Sequence, residues 1–159
     1  MTPTFKTINL ANNLDTCFEF RKDSYFVSFG TYDGFETDMS NYKERMAERI
    51  SYLPHGNCHL WHEGEIIGQT EMKFVDDADI GYVSLLYLKP EFRNQGLGKL
   101  LQQRAVEVFS TLGKKSIQLS VSCTNLPALA FYTKHGWENI GARPDKDNVY
   151  LMRFPLTKG

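Results

Sequence analysis

The chain changes its hydrophobic period several times, and each change marks an element. Thr4–Asn9 reads as a short first strand. From Asn13 onward, Leu14, Cys17, Phe18, Arg21 and Tyr25 follow helical spacing, with Asn12 or Asn13 as the expected cap. Phe29-Gly30-Thr31-Tyr32-Asp33-Gly34 reads as a loop. A second helix is predicted from about Ser40 to Leu53, with Tyr42, Met46, Ile50 and Leu53 as its buried stripe, ended by Pro54-His55-Gly56. The period then falls to two. Cys58, Leu60 and His62 alternate with His59 and Trp61, Glu63-Gly64-Glu65 turns the chain, and Ile66–Val75 returns as the partner strand.

After the polar turn Asp76–Asp79, Gly81–Leu88 is nearly all apolar, as expected of a central strand covered on both faces. Lys89-Pro90 stops it. Leu97, Leu100, Leu101, Ala105, Val108 and Leu112 then recur at spacings of three and four, predicting a helix from about Gly96 to Leu112 that Gly113 closes. Ile117, Leu119 and Val121 alternate with polar residues as another strand. Pro127–His135 reads as a short helix with Gly136 past its end, and Val149–Phe154 as the last strand. The first half is thus antiparallel and the second resembles one crossover unit. The fold class expected is α/β (α+β), a mixed and mostly antiparallel sheet with helices on both faces.

A length of 159 residues fits a single domain, 1–159, and 42% apolar residues can form a core. No apolar run is long enough for a membrane span, and Met1–Lys6 has no apolar region of a secretory signal. Cys17, Cys58 and Cys123 are odd in number and far apart, which fits a reducing, cytoplasmic setting. With 18 Lys+Arg against 19 Asp+Glu, the chain lacks the basic excess of a general nucleic-acid binder. That balance hides a division. Residues 61–81 carry Glu63, Glu65, Glu71, Asp76, Asp77 and Asp79 against Lys73. Residues 89–115 carry Lys89, Arg93, Lys99, Arg104, Lys114 and Lys115 against Glu91 and Glu107.

Chemistry concentrates at Arg93-Asn94-Gln95-Gly96-Leu97-Gly98-Lys99, between the central strand and an amphipathic helix. Two glycines let backbone approach an anion, the N–H groups and dipole of a helix start hold phosphate, and Arg93 and Lys99 add charge. The same glycines also suit a plain tight turn. Arg93 and Leu100 break the P-loop pattern, and Leu101 breaks the Rossmann fingerprint, which weakens an ATP- or NAD-binding reading.

Arg93-x-x-Gly96-x-Gly98 after Leu86-Tyr87-Leu88-Lys89-Pro90 resembles the acetyl-CoA-binding signature of the GNAT (GCN5-related N-acetyltransferase) family. Asn125-Leu126-Pro127-Ala128-Leu129-Ala130-Phe131-Tyr132-Thr133-Lys134-His135-Gly136-Trp137 matches that family's N-x-x-A-x-x-F-Y-x-x-x-G-[FW] pattern. The resemblance covers residues 82–137; the amino-terminal third is similar in element order only. It implies a sheet splayed between the central strand and the next, with acetyl-CoA as co-substrate and an amine as acceptor. It further implies that backbone groups of Leu86, Tyr87 and Leu88 bond the pantetheine arm. N–H groups from Asn94 through Gln95, Gly96, Leu97 and Gly98 to Lys99 would hold the pyrophosphate, and the Asn125 amide the arm, a role compatible with a helix cap. Tyr132 would protonate the leaving thiolate and the Leu88 N–H would stabilise the oxyanion.

Some members place a Glu near the start of the central strand as base. Here Tyr82 stands there, leaving Glu71 or a water held by Ser84 and Tyr82 as candidates, although a Glu on a period-two strand more often lies on a solvated face. The mechanism needs no metal. The region from Arg21 to Met46, rich in aromatics at Tyr25, Phe26, Phe29, Tyr32 and Phe35, is expected to supply the acceptor pocket. The basic block would surround the anionic end of the cofactor, and the acidic block would make an acceptor side friendly to cationic amines. A non-catalytic acyl-CoA-binding domain is the rival reading, and a homodimer is an assembly many relatives adopt.

Overall fold

The computed structural model describes residues 2–156; residues 1 and 157–159 of the expected domain lie outside them. Seven strands form one sheet: β1 (Thr4–Thr7), β2 (Cys58–His62), β3 (Glu65–Phe74), β4 (Ile80–Leu88), β5 (Ser116–Ser122), β6 (Glu138–Arg143) and β7 (Lys146–Pro155). Their spatial order is β1-β2-β3-β4-β5-β7-β6, antiparallel throughout except for the parallel β4–β5 pair. Helices α1 (Leu10–Phe29), α2 (Phe35–Asp38) and α3 (Tyr42–Tyr52) cover one face, and α4 (Leu97–Thr111) and α5 (Leu126–Lys134) the other. This is the mixed, mostly antiparallel fold that the periodicities predict.

The main core lies under α4 and α5. Ala105, Val108 and Phe109 of α4 pack on Val83, Ile117, Leu119 and Val121. On the opposite face, Phe20 of α1 meets Leu85 and Tyr87. Val83 and Leu85 face opposite sides although they are two apart, because β4 carries a bulge: Glu71 pairs with Leu85 and Met72 with Val83, leaving Ser84 over. The bulge coincides with the end of the β4–β5 pairing, which covers Ile80–Val83 against Ser116–Leu119. Beyond it β4 runs on with an unpaired edge. This is the splay expected between the central strand and the next.

Three local expectations are corrected. Asn9 caps α1, accepting from the Asn12 N–H at 3.2 Å, whereas Asn13 sits in a kink with φ −126° and ψ 22°. The short α2 fills the stretch left without an element between the predicted loop, which ends at Gly34, and the second helix. A strand, β6, pairs with β7; most of its residues are exposed, so it carries no apolar alternation to read. No described helix is long and apolar enough to cross a membrane.

Candidate functional site

The open edge of β4 decides which backbone groups are available. The Lys89 N–H donates to the Ile67 carbonyl at 2.9 Å, and Gln69 faces Tyr87 in the same register. Donors and acceptors alternate along an antiparallel strand. The backbone groups of Tyr87 therefore belong to the β3 ladder, and those of Leu86 and Leu88 face the gap. The expectation that all three serve the gap narrows to two. The Tyr87 side chain lies under α1, its ring tilted against Phe20 with centres 4.6 Å apart, and its hydroxyl donates to Asp23 Oδ2 at 2.5 Å.

Arg93 is also more occupied than its place in the motif suggests. Its Nε donates to the Leu88 carbonyl at 2.9 Å, its Nη2 pairs with Asp23 at 2.8 Å, and its guanidinium lies 5.3 Å from the Tyr87 ring centre. It braces the end of β4 to α1. Past it, Asn94 (φ 62°) and Gly96 (φ 85°) adopt left-handed conformations that turn the chain into α4. No side chain caps α4, so the N–H groups of Leu97, Gly98 and Lys99 have no partner within the helix. Gly98 suits close packing: a Cβ there would come within 3.1 Å of the Phe131 ring, so the α4 start and α5 approach closely. Asn94, Gln95 and Lys99 are exposed at the turn.

The basic block does not form one patch. Lys89 pairs with Glu65, and Lys114 and Lys115 lie beyond the far end of α4, about 22 Å away at 1.5 Å per residue. Arg104 donates to the His55 carbonyl on the amino-terminal side.

Asn125 caps α5, its Oδ1 accepting from the Ala128 N–H at 3.3 Å, which leaves its amide N–H groups without a bond among the described residues. Tyr132 follows two turns later, half-buried against the main core, with its ring 5.5 Å from Trp137. Burial alone pushes its phenol up to about 12.

On the other face of the splay, beneath α1 and α3, lies a cavity of about 550 Å³. Tyr82, Ser84, Leu85 and Ser120 line its floor, and α1, α3 and the β6–β7 turn its walls. Tyr25 and Phe29 line it from the last turns of α1, not from a loop; Phe26 and Tyr32 stack on each other outside, both exposed. The region from Arg21 to Met46 thus contributes Arg21, Tyr25, Met39, Tyr42 and Arg45 to the wall.

Glu71 sits under this cavity, fully buried, and the expected solvated face is corrected. Arg21 grips it from Nη2 at 2.5 Å and from Nε at 3.2 and 3.3 Å, Tyr42 donates at 2.6 Å and Gln69 at 2.7 Å. Burial by itself would raise its pKa. The Arg21 charge and the hydrogen bonds from Arg21, Tyr42 and Gln69 outweigh it and hold the carboxyl below its usual range. A carboxylate so engaged has weak basicity and no exposed surface, which disfavours it as the base. Gln69 continues the chain to His59 at 2.6 Å.

The other five acids of the block map away from the cavity. Glu63 and Glu65 lie at the β2–β3 turn, Asp76, Asp77 and Asp79 at the β3–β4 turn. The cavity wall is instead cationic: Arg21, Arg45, Arg49, Lys73, Arg143 and Lys146 against Asp38 and Asp145. The expectation of an acceptor side friendly to cationic amines is overturned. The missed residues left a signal. Arg49 stands in the buried stripe Tyr42, Met46, Arg49, Leu53, and Gln69, Glu71 and Lys73 form a polar period-two run through an otherwise buried strand.

A curated relative, a provisionally named ribosomal protein bS18-alanine N-acetyltransferase of Bacillus subtilis (strain 168), is 34% identical over 82 residues, which is 51% of this chain and 52% of that one. The match thus spans about half the length of that relative. Among solved structures, the PaiA N-acetyltransferase from Thermoplasma acidophilum in complex with coenzyme A superimposes with a TM-score of 0.79 over 98% of this chain and 99% of that chain, at 19% identity. YncA from Salmonella typhimurium with its cofactor acetyl-CoA gives 0.74 over 100% and 96%, at 14% identity. At such identities these two show the fold. The model of the acetyltransferase (GNAT) family matches residues 14–137, beginning inside α1 and ending on Trp137. One match therefore takes in the bulged β4, the uncapped start of α4 and the α5 segment, and the chain belongs to the GNAT acetyltransferase family.

Proposed function

We propose that this chain acts as one N-acetyltransferase domain, moving an acetyl group from acetyl-CoA to a primary amine by direct attack. The observation that carries this reading is the open β4 edge beside an uncapped helix start, with an acceptor cavity on the opposite face of the same splay. The residues present fit the cofactor: Leu86 and Leu88 offer backbone groups toward the gap, and the N–H groups at Leu97–Lys99 suit a diphosphate. The Asn94 and Gln95 N–H groups and the exposed Lys99 would extend that cradle, and the Asn125 amide, still able to donate, would bond the arm.

Acetyl-CoA supplies a thioester whose carbon–sulfur bond breaks as the amine nitrogen bonds to the acetyl carbon. The Leu88 N–H donates to the carbonyl oxygen as it gains charge. Tyr132 donates its phenolic proton to the departing sulfur. The amine releases one proton, and with Glu71 engaged, a water lodged by Ser84, Tyr82 and Ser120 takes it; the Tyr82 hydroxyl already bonds Ser120 Oγ at 2.5 Å. That proton restores the phenol, so one amine hydrogen ends on sulfur.

The engagement of Glu71 by Arg21, Tyr42 and Gln69 supports a second reading, a non-catalytic acyl-CoA-binding domain. Thiol release from acetyl-CoA across an amine panel separates the two, since tight binding with no release under any acceptor would favour the second. Gly96→Asp is expected to weaken CoA binding at least tenfold, because it adds a Cβ at φ 85° and a negative charge at the helix start. Calorimetry with CoA measures this, and normal affinity would show that the diphosphate lies elsewhere.

A further inference from the structure

The acceptor cavity holds more positive charge than its own carboxylates can balance. Six cationic side chains line it, against Asp38, Asp145 and the buried Glu71 beneath. Two of the six are closely matched, Arg21 by Glu71 at 2.5 Å and Arg143 by Asp145 at 2.7 Å, and Arg49 shares the same Glu71 only at 3.9 Å. Among the described residues Arg45 donates to the backbone carbonyls of Asp38 and Ser40 and lies over the Tyr42 ring, with no carboxylate partner. Lys146 lies over the Phe29 ring.

Arg49 and Lys73 are the informative pair. Arg49 is 8% exposed, and its Nη1 is buried with no hydrogen-bond partner; Glu71 Oε1, its nearest carboxylate oxygen, is 3.9 Å away. A buried guanidinium N–H without an acceptor is costly, and such groups in folded proteins ordinarily have a partner. Lys73 is half-buried over the Tyr82 ring at 5.2 Å and makes no ion pair among the described residues. Burial lowers its pKa, and Arg49, Arg143, Arg45 and Arg21 push the same way. Tyr82 and Ser84 beside it mark the end of the β4–β5 pairing, where the transfer would occur.

Resting on the acetyltransferase reading above, we infer that the acceptor is a small primary amine that also carries an anionic oxygen group, carboxylate or phosphate, which Arg49 and Lys73 bind while the amine lies toward Ser84. A cavity of about 550 Å³ suits a small molecule. The anion supplies the acceptor that Arg49 Nη1 lacks. The surplus cations also disfavour the ammonium form of the bound amine, so a free amine is generated without a dedicated carboxylate base. A polycation is excluded by the same field.

The test is a thiol-release assay with acetyl-CoA on matched pairs: β-alanine against propylamine, glutamate against glutamine, and phosphoethanolamine against ethanolamine, with spermidine and an acidic peptide alongside. The acid-bearing members of the carboxylate or the phosphate pairs are expected to give at least about tenfold higher kcat/KM, and whichever set responds identifies the anion. Lys73→Met is expected to collapse that ratio, and Lys73→Glu to invert it toward spermidine; the half-buried position keeps folding less at risk than at Arg49. Preference of the wild type for acid-free amines, for spermidine or for the peptide would overturn the inference while leaving acetyl transfer intact. Binding of glutarate and inorganic phosphate, followed by thermal shift without cofactor, is the independent readout: stabilisation by either, lost in Lys73→Met, supports the anion site even if acetyl-CoA fails to bind. Failure of acetyl-CoA to bind in calorimetry overturns the transferase reading alone. Absence of stabilisation by both anions together with unchanged pair ratios in the Lys73 variants overturns the inference.

Discussion

Tyr132→Phe is expected to lower kcat for acetyl transfer about 100-fold, with acetyl-CoA affinity unchanged. The substitution removes one oxygen and keeps the ring, so the edge contacts with Phe131 and Trp137 and the packing on the main core persist. Among the described residues no charged or hydrogen-bonding partner contributes to the state of the phenol, so its loss leaves no described group without a partner. What disappears is the proton that the departing thiolate needs. Burial pushes that phenol up to about 12, so it stays protonated across the working range. The wild-type rate should therefore rise with pH as the amine loses its proton, with no alkaline fall caused by ionisation of the phenol. Steady-state thiol release and calorimetry on the same preparations measure both quantities. A variant with unchanged kcat would remove Tyr132 from the chemistry.

The part of the molecule that the sequence displays openly is the part built from local rules. Gly96 and Gly98 between an apolar strand and an amphipathic helix announce a turn and a close approach, and both features are present. Asn125 followed by Pro127 announces a capped helix, and the cap is there. The parity switch at Ser84 was hidden, because a bulge exists only in the register between two strands. From Gly81–Leu88 alone, an all-apolar run looks symmetrical about the sheet. The bulge sends Val83 toward α4 and Leu85 toward α1, and it coincides with the end of pairing with β5.

The charge blocks mislead for a related reason. Residues near in sequence on a strand alternate faces and separate by about 3.3 Å each, so an acidic run along a hairpin scatters to its two ends. Only Glu71 of the six acids turns toward α1 and α3, and there it is enclosed by Arg21, Tyr42 and Gln69. Cations come to the same cavity from α1, α3, β3 and the β6–β7 turn, segments that are remote in the chain. A linear count cannot sum them. Arg49 was legible in principle, as the one charge within a buried helical stripe.

Glu71→Ala is expected to destabilise the fold by about 3–5 kcal/mol, the usual cost of removing one partner from a buried ion pair. Arg21 and Arg49 would remain under the cavity without a counter-charge, and the Tyr42 hydroxyl and Gln69 amide would lose an acceptor. Since Arg21 belongs to α1, Tyr42 and Arg49 to α3, and Gln69 and Glu71 to β3, the carboxylate fastens two helices to the sheet. Replacing both Arg21 and Glu71 with Met should recover much of the loss, because an apolar pair leaves no unpaired charge. The pH dependence has a fixed sign. The folded carboxyl titrates below its unfolded value of about 4.3, so its contribution is full above that value and is lost as pH falls through the folded pKa. Urea unfolding at a series of pH values should show this acid-side loss in the wild type and its reduction in Glu71→Gln. The same Gln variant separates brace from base. A general base would show a large fall in kcat and a changed rate–pH profile with an unaltered unfolding midpoint. A brace shifts the midpoint and leaves the shape of the rate–pH profile as it was, as the proposed proton route through Ser84 and Tyr82 requires.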